Sequence, residues 1–257
     1  MEHLDRESWH PASAQLQQLF RDTVHNAGGT VVDVVDDGRT LWGRAVLPVM
    51  LAVRPGDRLR GGVAMRTAGT EVHIHPYTLR EVCTNGAVRA HALATRIVPR
   101  VHIDPAVASS HDYSVIAVLD EVATALHSCS RPEVFEEGVA EMRDALSREA
   151  DAALDALEFF RVIESLGTSR VAESVRRVLS RVLRQLAQAG GRERSAFALG
   201  NALTAAGRDA ASPAVRWVLE EYGAAIFAAA VPGATPPTAS IGRRRIPAHP
   251  TARATRR

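Results

Sequence analysis

The chain contains no lysine: all 31 of its basic residues are arginine. With abundant alanine and valine, that bias fits a GC-rich genome better than selection for guanidinium chemistry. It also excludes the phosphate loop Gly-x-x-x-x-Gly-Lys, whose last step needs a lysine. Neither Gly-x-Ser-x-Gly nor His-Glu-x-x-His occurs, so two further catalytic signatures are missing. Cysteine is nearly absent. Cys83 and Cys129 make neither a disulfide framework nor a spaced zinc quartet, which agrees with a reducing compartment. No apolar run approaches a membrane span, the longest being AVLPVMLAV. The segment MEHLDRESWH has early acids and no cationic stretch leading into an apolar one. These absences predict a cytoplasmic protein with no membrane partner. Acid is missing after Glu221, while SIGRRRIPAHPTARATRR carries Arg243, Arg244, Arg245, Arg253, Arg256 and Arg257. Without those six, 25 basic residues face 29 acidic ones, so the formal charge of +2 comes from the tail.

What is present divides the 257 residues by pattern. Leu16, Leu19, Phe20 and Val24 recur at helical spacing before Gly28-Gly29, so residues 1–29 are expected to hold one helix and its exit. TVVDVV and TLWGRAVLPVMLAV, joined through Asp37-Gly38, have the form of a hairpin, and Pro48 should break or bulge its second strand. Arg54-Pro55-Gly56-Asp57 reads as a turn before the strands LRGGVAMRT and TEVHIH, which Ala68-Gly69 joins.

The segment PYTLREVCTNG is predicted to be a short helix. Pro76 suits its first turn, and Asn85-Gly86 its left-handed exit. AVRAHALATRIVPRVHI should then resume as a strand. Residues 30–110 thus form a strand-rich part, and 111–231 a helical part packed on it as one domain. Within the latter, Ser130-Arg131-Pro132-Glu133 resembles a capping box, and a stripe from Phe135 through Phe160 describes one long helix. A helix follows over Val171 to Leu186, ending at Gly190-Gly191, then SAFALGNALTAAG, then a helix begun by Ser212-Pro213. Residues 232–257 lack any apolar period and are expected to be disordered. The fold class is α+β, a mostly antiparallel sheet covered on one face by helices.

Three stretches, RPGDRLRGGVAMRTAG, PYTLREVCTNG and FALGNALTAAG with VRWVLEEYGAAIF, resemble the phage/plasmid-like domain-of-unknown-function family 932. The resemblance covers roughly residues 40 to 230. It implies signature positions at Cys83, Thr84, Asn85 and Gly86, and at Asn201 and Thr204. It also implies association with phages, plasmids and other mobile elements, and carries no established reaction. Thr67-Ala68 departs from the Asn-Ser expected after the glycine-rich strand, which weakens any role tied to those side chains.

Weighed as chemistry, Cys83 fails as a nucleophile on the helix-stop reading, because a helix C-terminus disfavours a thiolate. Asn201 lies inside a helix with Thr204 one turn on, and a buried amide demands partners. We therefore expect Asn201 and Thr204 to fasten the helical half to the Asn85-Gly86 segment; a ligand held in that seam is the alternative. His73 and His75 share a strand face, with His91 and His102 further on. No carboxylate or cysteine stands at ligand spacing, and a solvated face explains the pair as well, so neither metal nor cofactor is expected. The functional expectation is a non-enzymatic binding protein with nucleic acid as leading partner, touched by Arg176, Arg177, Arg243, Arg244 and Arg245. Removal of the residues after Pro232 is expected to abolish that binding. One alternative is an enzyme or binder of a small molecule or nucleotide in the seam. Another is a homo-oligomer assembled through the long helix.

Overall fold

The computed structural model describes residues 11–69, 71–81, 85–90, 92, 94–99, 111–157, 167–188 and 194–229. Helix α1, Ser13–Asn26, buries Leu16, Phe20 and Val24 and exits through Gly28 at φ +69°. Strands β1, Thr30–Asp36, and β2, Leu41–Ala52, form the expected hairpin, in which Asp36 and Asp37 carboxylates accept the amides of Gly38, Arg39 and Thr40. The β2 register shifts between Val46 and Met50, around Pro48, where the missing amide predicts a break. Strands β3, Arg58–Ala68, and β4, Glu71–Arg80, follow through a tight connection at Gly69. Two short strands, β5, Asn85–Val88, and β6, Arg96–Pro99, pair side by side along the far edge of β4.

The structure overturns the helix expected over residues 76–83. Residues 76–80 are strand and Glu81 is a turn residue, with Pro76 opposite Val63 and Tyr77 opposite both Gly62 and Val88. A strand residue points its N–H and C=O to the same side. The Pro76 carbonyl accepts from the Arg89 amide, so its missing donor falls in the gap between β5 and β6, where no ladder bond is lost. Asn85 and Gly86 are strand residues opposite Arg80 and Leu79, not a left-handed helix exit. Gly86 is required for another reason: a Cβ there would overlap the Tyr77 hydroxyl. Cys83 and Thr84 lie outside the described residues. The strand expected over AVRAHALATRIVPRVHI is, in its described residues, the end of β5 and the whole of β6 with turn residues between them; residues 91, 93 and 100–103 lie outside the described residues.

Helix α2, His111–Cys129, lies with α1 on one face of the sheet, where Leu16, Phe20, Val63, Met65, Ile74, Val122 and Leu126 share a core. Helices α3, Pro132–Ala145, α4, Ala150–Ala156, α5, Arg170–Gln188, α6, Ala196–Arg208, and α7, Pro213–Ala228, build the second half. Trp217 of α7 packs on the opposite sheet face against Trp42, Val46, Ala64, Tyr77 and Val88. Both faces are therefore covered, not one.

Two local expectations are also corrected. Ser130 does not cap α3; its hydroxyl donates to the Leu126 carbonyl at the end of α2, and Arg131 occupies the cap. The stripe from Phe135 is broken at residues 146–149 into α3 and α4, and Phe160 lies outside the described residues. Ser212 does cap α7, as the Ser-Pro pair predicts, and Ser195 caps α6. The tail 232–257 lies outside the described residues, as does Gly190-Gly191.

Helix α7 is the centre of the helical half, buried continuously from Trp217 to Ala228. It approaches α6 closely because Gly223 faces Thr204 and the Gly200 carbonyl, while Gly200 faces the Phe227 ring. Leu199, Leu203, Leu219 and Ile226 fill the same core with Val139, Ala153, Val175 and Leu179 from the surrounding helices.

Candidate functional site

The chain brings polar residues together in four places, and the first is the seam anticipated from Asn85, Asn201 and Thr204. The Asn85 side-chain amide donates to the Asn201 carbonyl at 3.4 Å, and the Thr204 hydroxyl donates to the same oxygen at 3.1 Å. Within α6 the Asn201 amide donates to the Phe197 carbonyl at 2.7 Å, and its side-chain oxygen accepts from Arg80 at 3.2 Å. Arg80 is the hub of the seam. It grips buried Asp57 with a two-pronged bond of 2.5 and 2.9 Å and lies over the Phe197 ring at 5.4 Å. Arg208 donates to the Asn85 oxygen at 3.4 Å. The cavity between Val53, Arg80, Asn85, Met142, Asn201 and Phe227 measures about 10 Å³, enough for roughly one water molecule.

A second polar layer lies between the sheet and α7. Arg44, 1% exposed, bonds Glu220 at 2.7 Å and Asp33 at 3.2 Å; Arg216 bonds Glu220 at 2.9 Å and Asp33 at 2.5 Å. Two guanidiniums and two carboxylates thus alternate in a closed ring joining β1, β2 and α7. Burial raises the Glu220 carboxyl, and the two guanidiniums pull it back. Arg44 and Arg66 each lie over the Trp217 ring, at 5.5 and 5.4 Å, and His75 lies beside it at 5.6 Å. Next to this layer burial pushes the Glu221 carboxyl up to about 7, against the pull of Arg66.

These residues escaped the sequence reading, although a signal was there. Arg44 interrupts an apolar strand, and Glu220-Glu221 interrupts a mostly apolar helix; charge inside either pattern demands a buried partner. Arg89, also 1% exposed, is a third such case. It donates to the Val134 carbonyl at 2.6 Å and pairs with Glu137 and Glu141 at 3.1 Å each, anchoring α3.

His73 and His75 share a face as expected, but that face is buried, not solvated. His73 contacts Glu71 at 3.0 Å, and His75 contacts the Thr95 hydroxyl at 3.2 Å. His91 and His102 lie outside the described residues. Among the described residues no cluster of three His, Cys, Asp or Glu side chains could hold a metal. Cys129 is buried, donates to the Ala94 carbonyl, and has its thiol pushed up to about 12 by burial, the reverse of an activated nucleophile. Thr67 is buried and its hydroxyl accepts the Leu41 amide, so this side chain serves the sheet.

The fourth place is the outer face of α5. Its inner face buries Ala172, Val175, Leu179 and Val182. Arg170, Arg177, Arg181 and Arg184 are exposed, and at 100° per residue they fall within one narrow stripe. None of the four is ion-paired to a described residue, and Glu173 is the only acid in the helix. Arg176 stands apart, half-buried, donating to the Gly167 carbonyl at 2.6 Å. Arg243, Arg244 and Arg245 lie outside the described residues.

The arrangement defines an α+β protein with charge enclosed in its core and one exposed cationic ridge. In comparisons with protein-family models, curated proteins and solved structures, no match to the chain is found. Among the described residues no helix is long and apolar enough to cross a membrane.

Proposed function

We propose that the protein is a non-enzymatic binding protein whose partner is nucleic acid, engaged by the exposed face of α5. One observation carries this reading: the four arginines of that face project from a rigid helix whose other side is locked in the core. Arginine ridges of this kind bind phosphate, because each guanidinium displaces a condensed counterion. The resemblance to a phage/plasmid-like family supports the same partner class, and the arginine-rich tail adds charge of the same sign.

A filter-binding titration of the full chain against mixed-sequence DNA tests it at low salt. Retention is expected, weakened about tenfold or more in Arg177→Ser/Arg181→Ser/Arg184→Ser and lost at moderate salt. Absence of retention at the lowest salt overturns the reading.

The rival readings fare less well on specific grounds. The seam cavity of about 10 Å³ cannot admit a nucleotide, for which pockets run to several hundred Å³. A larger open depression of about 630 Å³ at residues 146–149, 151 and 194–195 is lined by mixed charges. There Arg148 is spent on the Ala229 carbonyl and Arg194 on Asp151. The apolar stripe proposed for self-association is core: Phe135, Val139, Met142, Ala153 and Leu157 are all buried within the chain.

A further inference from the structure

We infer that the ridge of α5 selects double-stranded over single-stranded nucleic acid and grips the phosphate backbone without reading bases. This rests on the nucleic-acid reading above and goes beyond it. Single strands are held by stacking bases on exposed aromatic rings, each worth about 1–3 kcal/mol. Every Phe, Tyr and Trp whose side chain the structure describes is buried: Phe20, Trp42, Tyr77, Phe135, Phe197, Trp217, Tyr222 and Phe227. Among the described residues, a single strand would therefore gain only phosphate contacts.

On phosphate contacts alone, the polymer with the denser charge binds more tightly. A duplex carries one charge per roughly 1.7 Å of axis, twice the density of either strand. The ridge is extended along the helix. From Arg170 to Arg184 it runs about 21 Å along the helix axis, with successive steps of roughly 10.5, 6 and 4.5 Å. Its side chains form a single file, so they meet one backbone and do not straddle a groove. A file that follows one backbone stays out of the major groove, where arginine itself would read guanine edges.

The test is a competition measurement on the full-length chain. A labelled 20-base-pair duplex is displaced by unlabelled duplex or by unlabelled single strand of the same length, at equal phosphate concentration and low salt. Duplex is expected to compete about fivefold better or more, with little dependence on base composition. The preference should collapse in Arg177→Ser/Arg181→Ser/Arg184→Ser, whose unchanged far-ultraviolet circular dichroism reports an intact fold. Equal or better competition by single strand overturns this inference and leaves nucleic acid as the partner. Binding of neither form overturns both readings.

Discussion

Gly86 shows what a single residue decides here. Its neighbours Cys83-Thr84-Asn85 read locally as the end of a helix, where glycine supplies a left-handed backbone. In the fold it is a strand residue pressed on the Tyr77 hydroxyl, which has no hydrogen-bond partner of its own among the described residues. Gly86→Ala is therefore expected to cost on the order of 1–3 kcal/mol by overpacking. Adding Tyr77→Phe, which removes the obstructing oxygen, should restore part of that stability in urea unfolding. No recovery in the double variant would place the obstruction on the ring carbons, which also crowd that Cβ, and not on the oxygen. Asn201 is the other informative residue. Asn201→Ala removes the bonds to Arg80 and Phe197 but leaves the backbone carbonyl that Asn85 and Thr204 share. A loss of roughly 1–2 kcal/mol is expected, measured as a lower midpoint of thermal unfolding. An unchanged midpoint would mean that the Asn201 side chain does not fasten the seam.

Among elements, α7 and β4 separate what was legible from what was not. The β1–β2 hairpin, the break at Pro48 and the start of α7 at Ser212-Pro213 follow from local rules, since turn and cap residues act on their own neighbours. The strand identity of Pro76–Arg80 does not, because it depends on β3 and β5 lying to either side. The same holds for Glu220: only the fold reveals that Arg44, distant in sequence, arrives 2.7 Å away. The seam was partly legible, through Asn201 inside a helix; Arg80 was hidden by the mistaken helix assignment, and Asp57 closes the turn read correctly at residues 54–57, where nothing local announces its partner. The close contact of α6 with α7 gives a test at this scale. Gly223→Val should cost several kcal/mol, because the new methyls must displace Thr204 or the Gly200 carbonyl. Full stability in this variant, checked by denaturant unfolding, would show that the two helices are not held at this spacing.

For the whole molecule, enclosed charge links stability to pH. The Glu221 carboxyl titrates near 7 in the folded chain, above its value of 4.5 when exposed, because burial outweighs the pull of Arg66. The folded state then binds the proton more tightly than the unfolded one, so this group's contribution falls as pH rises through that window. His73, lowered by burial and then by Arg66, has the opposite sign: its contribution rises with pH toward the ordinary histidine value. A difference measurement isolates the glutamate. Glu221→Gln should gain on the parent between about pH 5 and about pH 8, by at most about 3 kcal/mol. A stability difference independent of pH would remove Glu221 from the account.

The same molecule also presents charge outside, in the ridge on α5, and the central claim is that this ridge meets phosphate. The direct measurement is the slope of log K against log salt concentration for duplex binding, in the parent and in Arg177→Ser/Arg181→Ser/Arg184→Ser. If each of the three arginines neutralises one phosphate, the variant's slope is shallower by about 2 to 3. An identical slope in both proteins would place the binding charge elsewhere and contradict the account.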